Sequence, residues 1–412
     1  MKKRKKNEII SQGIIKFNQE IDAEQGFFDL ILTLGYDAFY DQIDEEIRHI
    51  CGEWYANLSE RQFTRWSKKN SVIIFGGRKI ILRHQRVRDL KNNKDIPLKT
   101  ITEAQKIDLL QDRQFENMVI GVSTRKYKRS LEGNITDPQS YGTSKSSVSR
   151  NFIAKTEKML LKWQNSPIAR SFPIIMIDGI NFTNHTIIVV LGIDNQGQKE
   201  VLGLKAGSTE NSRICIDLLN ELEERGLNME AVKLGVIDGS KALRKAVREK
   251  FGNNFAVQRC QEHKIRNVLS YLPEEKKELI KFSIREAYQM RGYNDAHNHL
   301  CVIIKNLDKE YPSAASSLRE GLEETLTLHK LDAAPSLRKS LRSTNQIENL
   351  MGTIRYVSKR VKKWKNSRMA MRWTLTGILE ARKNFRRIHG YTKIENLLDS
   401  IKKNEKIRNR TA

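Results

Sequence analysis

Cysteine is scarce in this chain: four in 412 residues (Cys51, Cys215, Cys260 and Cys301), with no CxxC pair. That argues against a disulfide framework or a Cys-rich zinc module and predicts a reduced, cytoplasmic protein. Long apolar runs are missing too. None approaches the ~18 residues of a membrane span, so no membrane partner is expected. The start, Met1-Lys2-Lys3-Arg4-Lys5-Lys6, is basic, but no signal-peptide apolar core follows it. Acidic residues also fall short: 49 Asp and Glu against 74 Lys and Arg leave a formal charge of +25. An enzyme for small metabolites has no need of that excess, whereas a protein neutralising phosphates along double-stranded DNA does. The excess is uneven, since residues 355–412 hold 18 Lys or Arg against 4 acids.

A chain of this length allows two to four domains. Residues 1–95 read as a helical and β-hairpin region. Phe27, Phe28, Leu30, Ile31, Leu34, Ile43, Ile47 and Ile50 recur at helical spacing, so residues 8–66 are expected to be helical and to pack or dimerise. Ser71-Val72-Ile73-Ile74-Phe75 and Lys79-Ile80-Ile81-Leu82-Arg83 flank Gly76-Gly77, a hairpin signal. Its Arg78, Lys79, Arg83, Arg86 and Arg88 suit either a DNA backbone or a solvated surface.

Residues 96–165 are expected to form two or three short helices in a helix-turn-helix-like DNA-binding region. The last begins at Tyr141-Gly142-Thr143-Ser144. Ser144 can cap it, and Lys145, Ser146, Ser147 and Arg150 then project from its first turns with Val148 turned inward. That composition suits a recognition helix meeting base edges and phosphates. A capped, Ser-rich surface helix is the competing reading.

From Phe172 the pattern becomes regular, and residues 166–263 are read as the first part of a catalytic core. Pro173-Ile174-Ile175-Met176-Ile177 ends in Asp178-Gly179. His185 to Ile193 is a second strand, Asp194-Asn195-Gln196-Gly197 turns it, and Glu200 to Leu204 returns. Asp194 is expected to serve the turn. A helix from about Glu210 to Arg225, a strand Lys233 to Ile237 ending in Asp238-Gly239, a helix over Lys241–Phe251 and a strand Phe255–Arg259 complete the set. The order β-β-β-α-β-α-β is that of a ribonuclease-H-like α/β domain with a mixed five-stranded sheet. In that architecture the first and fourth strands are neighbours, which places Asp178 beside Asp238. Two carboxylates so close both stay ionised at neutral pH only with a cation between them, so the pair predicts divalent metal, Mg²⁺ or Mn²⁺. Two such ions could activate the attacking oxygen and stabilise the leaving oxygen of a phosphodiester.

A third carboxylate is wanted. Residues 264–340, rich in Lys and Glu, read as an all-helical insertion with no clear candidate. Residues 341–400 resume the core with Ser343-Thr344-Asn345-Gln346-Ile347-Glu348, and residues 401–412 form a basic tail. Ser343 or Thr344 can cap the helix, Ile347, Leu350, Met351 and Ile354 would be its buried face, and Glu348 lies beside that face. From the residues alone Glu348 is as much a surface acid as a metal ligand.

Four blocks in order, Asp178-Gly179, Asp238-Gly239-Ser240-Lys241-Ala242-Leu243, Gln258-Arg259-Cys260-Gln261-Glu262-His263-Lys264-Ile265-Arg266-Asn267 and Ser343-Thr344-Asn345-Gln346-Ile347-Glu348, resemble bacterial insertion-sequence transposases of the Mutator (MULE-like) type, in the DDE superfamily. The resemblance covers roughly residues 140–400. It implies an acid triad of Asp178, Asp238 and Glu348 holding two metal ions. It also implies that Cys260 and His263 flank the active site, His263 contacting a phosphate or a flipped-out terminal nucleotide, with Arg259, Lys264 and Arg266 on DNA. A capped helix start is the plainer role for His263. Cys260 and His263 with His297, His299 and Cys301 make a weak case for zinc, because the fold need not bring them together. Near the carboxyl end, Lys362, Lys363 and Trp364 suit backbone contact and base stacking, while Trp373 suits packing.

The expected function is a transposase that binds transposon terminal inverted repeats, hydrolyses a strand and joins the freed 3′-hydroxyl to target DNA. It would act as a homodimer on paired ends, at the bacterial nucleoid. The alternatives are a sequence-specific DNA-binding regulator with a degenerate core and a stand-alone ribonuclease-H-like nuclease.

Overall fold

The computed structural model describes residues 30–55, 61–106, 109–131, 140–182, 185–207 and 211–411. The helical expectation for residues 8–29, Phe27 and Phe28 included, lies outside them. The chain divides into two compact units, residues 1–155 and residues 156–412.

In the first unit, helix α1 covers residues 30–51 and stops at Gly52, whose N–H closes on the Arg48 carbonyl at 2.8 Å with φ at +78°. The helix expected to reach residue 66 therefore ends earlier, and residues 63–66 are strand. β1 (Phe63–Phe75) and β2 (Arg78–Asp89) pair antiparallel around Gly76-Gly77. β3 (Lys94–Ile96) and β4 (Ser140–Tyr141) both pair with β2. Ile73, Ile80, Leu82 and Val87 bury one face of the sheet with Ile43 and Ile47 of α1 and Ile101 of α2 (Lys99–Lys106). Arg78, expected on the outer surface of the hairpin, is buried.

Helix α3 (Leu110–Val119) packs on α4 (Lys145–Gln164) through stacked Phe115 and Phe152, 6.0 Å apart. Residues 120–144 separate these two helices, not the three- or four-residue turn of a helix-turn-helix. Ser144 does cap α4, accepting from the Ser147 N–H at 3.2 Å. Val148 is fully buried, and Lys145, Ser146 and Arg150 are exposed with Ser147 half-buried.

The second unit is built on β5 (Ile174–Phe182), β6 (His185–Ile193), β7 (Lys199–Gly207), β8 (Leu234–Ile237) and β9 (Ala256–Arg259), in the order β7-β6-β5-β8-β9. The first three are antiparallel, and β5-β8 and β8-β9 are parallel. Period-two alternation sorts the strand residues between two dry faces. Ile175 and Ile177 face α5 (Ser212–Glu224) and α6 (Lys241–Phe251). Ile174, Met176 and Ile180 face α14 (Asn345–Ser358), α15 (Ser367–Arg382) and α16 (Ile394–Thr411). Between β9 and α14 run seven helices: α7 (Gln261–Leu269), α8 (Glu274–Gln289), α9 (Tyr293–Glu310), α10 (Pro312–Arg319), α11 (Leu322–Thr325), α12 (Thr327–Lys330) and α13 (Pro335–Leu341). Much of this segment packs around its own core of Ile284, Leu300, Ile304 and Leu318. Asp194 serves the β6-β7 turn, accepting from the N–H groups of Gln196 and Gln198 at 3.0 and 2.8 Å.

Candidate active site

The last register pair of β5 and β8 is Ile177 with Ile237. The residue after each is an aspartate: Asp178 continues β5, which runs on to Phe182 past the strand end the sequence suggests, and Asp238 follows the end of β8, so parallel pairing sets both at the level where β8 stops. Asp178 continues the alternation of Ile174 and Met176 and therefore belongs to the face covered by α14. It is 4% exposed. Its Oδ1 accepts from the Gly179 N–H at 2.9 Å, and its Oδ2 is buried without a hydrogen-bond partner. Burial, and after it the Asp238 charge, push this carboxyl up to about 6, opposed by the His263 charge and by the nearby Thr344 hydroxyl, which bonds Cys260 and His263 and closes no well-formed hydrogen bond to Asp178. Asp238 Oδ1 accepts from the Ser240 N–H at 2.7 Å, while the Ser240 hydroxyl caps α6.

Across from the aspartates, two helix starts are joined by one sulfur. Cys260, fully buried, accepts from the backbone N–H of His263 at 3.4 Å, of Thr344 at 3.4 Å, and from the Thr344 hydroxyl at 3.6 Å. The Gln261 N–H adds a bond to the Arg342 carbonyl at 2.9 Å. His263 lies next in the chain of contacts, with Nδ1 3.4 Å from the Thr344 hydroxyl and Nε2 3.9 Å from Glu348 Oε1. Hydrogen bonding to Cys260 and the nearby Asp178 carboxylate hold its imidazole above the ordinary value, against its own burial. Glu348 stands in the first turn of α14, with Ile347, Leu350, Met351 and Ile354 buried beside it, and pairs with Arg266 of α7.

The structure thus gathers Asp178, Asp238, His263 and Glu348 at one edge of one sheet, but Glu348 is turned to Arg266 and His263. Among the described residues no three His, Cys, Asp or Glu side chains converge as a ready metal cluster. The two aspartates could still hold a divalent cation: one of their oxygens is buried and unpartnered, and the repulsion between them is what a cation relieves. Glu348 could follow cheaply. Its partner Arg266 is 55% exposed, and exposed ion pairs contribute only about 0.2–1 kcal/mol.

Other expected contacts are placed elsewhere. Lys264 is fully buried, donating to the carbonyls of Ser317 and Glu320 at 2.6 Å each, and burial pulls its ammonium down to about 8. Arg259 is 3% exposed and engages Glu320. Neither presents a charge to a phosphate. Trp364 is half-buried and packs on Phe182 with ring centroids 4.6 Å apart, while Lys362 and Lys363 are exposed. Trp373 is buried, as its packing role requires. Ser343 and Thr344 make no side-chain cap on α14, because the Thr344 hydroxyl is committed to Cys260 and His263. Thr344 is the site residue that reading the sequence missed. Its place beside Asn345 looked like a cap, and only the tertiary pairing with Cys260 reveals its use. His297 contacts Cys301 and Glu323 on the helical segment and takes no part in this site.

Comparison with known proteins adds an independent line. A family model described as "Transposase, Mutator family" matches residues 101–387, which include both aspartates, His263 and Glu348. The chain is 27% identical over 280 residues to the transposase of insertion sequence element IS256 in transposon Tn4001 of Staphylococcus aureus, covering 64% of this chain and 67% of that protein. It is 26% identical over 296 residues to the transposase of element ISRM5 of Rhizobium meliloti, covering 70% and 72%. A transposase of element IST2 from Acidithiobacillus ferrooxidans is 28% identical over 176 residues, or 43% and 58%.

Proposed function

Because the chain belongs to the Mutator family of transposases, we propose that it binds the terminal inverted repeats of its element, cleaves a DNA strand there and joins the freed 3′-hydroxyl to target DNA. The observation that carries this reading is the aspartate pair. Asp178 lies within β5 where its parallel pairing with β8 stops, Asp238 directly follows β8, and one buried oxygen of Asp178 has no hydrogen-bond partner. In this reading the five-stranded sheet is a ribonuclease-H-like core, and residues 264–340 are an insertion within it.

Asp178, Asp238 and Glu348 form the acid triad. The chemistry supplied by bound Mg²⁺ or Mn²⁺, two ions in this reading, is activation of the attacking oxygen and charge stabilisation of the leaving oxygen. The chain's own groups do the positioning. The Ser240 N–H fixes the Asp238 carboxylate. His263, held toward its cationic form, donates to a phosphate oxygen near Asp178. Arg266 pairs with a phosphate once Glu348 turns inward. Lys145, Ser146, Ser147 and Arg150 contact the DNA from α4, and Lys362 and Lys363 contact its backbone. The protein acts in the bacterial cytoplasm at the nucleoid, as a homodimer on paired ends.

The test is to incubate the protein with the terminal DNA of its element and Mg²⁺, beside the Asp238→Asn variant. Nicking and joining by the wild type, lost in the variant, is the expected result. Equal activity in the variant would sink the residue assignment. No activity in the wild type would favour a DNA-binding regulator with a degenerate core, a role that the paired carboxylates do not require.

A further inference from the structure

Arg259 ends β9 beside the end of β8, with Ile237 as its register partner. Its guanidinium lies between two glycine backbones. Gly239 has φ at +101° and Gly321 at +66°, and a Cβ on either would fall inside the guanidinium group. Nη1 donates to the Glu320 carbonyl at 3.3 Å, and Nη2 reaches the Glu320 carboxylate at 3.4 Å. Nε is buried without a hydrogen-bond partner. The two bonds are long and the third donor is orphaned, so hydrogen bonding alone gives no reason to bury this cation. An apolar side chain of similar length would avoid the desolvation cost.

What the guanidinium uniquely offers is a flat, rigid plate. The ends of the Asp238 turn are fixed by the bond from the Ser240 N–H to Asp238 Oδ1 at 2.7 Å and from the Cys260 N–H to the Ile237 carbonyl at 2.7 Å. Gly239, between them, is the point against which the plate rests. On its other side lies Gly321, just after α10, and the carbonyl end of α10 is anchored by Lys264.

We propose that Arg259 is a positioning residue for Asp238. It wedges the Asp238–Ser240 turn against the Glu320–Gly321 turn of the helical segment and so sets how the Asp238 carboxylate faces Asp178. The proposal rests on the acid reading given under Proposed function. It assigns Arg259 no contact with DNA, and it makes the helical segment a mechanical support of the acid pair.

The test is Mn²⁺ binding to the full-length protein without DNA, measured by the electron paramagnetic resonance of free Mn²⁺, alongside single-turnover nicking and duplex binding. Arg259→Met is expected to keep duplex affinity within about twofold, weaken Mn²⁺ binding roughly tenfold and slow nicking by about a hundredfold. Arg259→Lys, with the charge but not the plate, falls between. Wild-type Mn²⁺ affinity and nicking in folded Arg259→Met overturn the proposal. Should Arg259→Met not fold, Gly321→Ala displaces the guanidinium without removing it and carries the same expected and overturning results. Asp238→Asn separates the two readings. If it binds Mn²⁺ as the wild type does, the acid assignment fails and takes the Arg259 role with it. If it loses Mn²⁺ while the Arg259 variants keep it, the Arg259 role alone fails.

Discussion

In the sheet of β1 to β4, Ile73, Ile80, Leu82 and Val87 cover one face, and the other is open. Lys68 and Arg83 are exposed there, and Trp66 is 44% exposed with the Arg88 guanidinium 4.7 Å over its ring. In the sheet of β5 to β9 both faces are dry, and its strands are apolar almost throughout. A sheet with one wet face can place polar residues anywhere on it, so no single position is singled out. A sheet buried on both faces has little room for charge, and its two carboxylates stand where β8 stops, Asp178 within β5 and Asp238 just after β8. Asp178 and Asp238 are therefore conspicuous, and the cations of the first sheet are not.

Four measurements would break or sharpen that contrast. Asp238→Asn is expected to lower nicking by roughly a thousandfold or more, several kcal/mol of transition-state stabilisation, with duplex affinity unchanged; single-turnover kinetics and a gel-shift titration read both. Leu82→Ala and Met176→Ala, one fully buried residue from each sheet, should each cost about 2–5 kcal/mol. If the two units unfold separately, each variant shifts a different calorimetric transition.

The third concerns pH. The folded-state carboxyl of Asp178 titrates at about 6, above its ordinary 3.8. Its favourable contribution is therefore complete below pH 3.8 and is lost as pH rises through about 6. Asp178→Asn should be more stable than the wild type at pH 8 by up to about 3 kcal/mol, the linkage value of that shift. The difference should shrink toward pH 4 in denaturant melts with no divalent metal. A variant no more stable at pH 8 would mean that the acid edge is not strained. The smallest effect is at the exposed α4 start, where Lys145→Ala should reduce the salt slope of duplex binding by about one unit. An unchanged slope would remove Lys145 from the interface.

How much could be read beforehand follows from the same contrast. The five strands, their order and helix Lys241–Phe251 were legible because apolar runs, Gly turns and caps agreed with one another. That the first and fourth strands are neighbours, and with it the meeting of Asp178 and Asp238, followed from the architecture that the element order suggests; the register itself comes from the structure. The bonds from Cys260 to Thr344 and the burial of Lys264 and Arg259 were not legible. They depend on how the seven helices between β9 and α14 fold back, which no local pattern encodes. Cations in the Gln258–Asn267 block therefore looked available to DNA when two of them are spent inside. The contact of Trp364 with Phe182 was not legible either, since its chain neighbours are exposed lysines.

The acid edge also has a history in time. Asp178 leaves the ribosome well before Asp238, and Glu348 comes long after both. Its helix is tied to the end of β9 by the bonds from Thr344 to Cys260 and from Gln261 to Arg342, with seven helices between them in the chain. A chain truncated within residues 264–340 would keep Asp178 and Asp238 and lack Glu348.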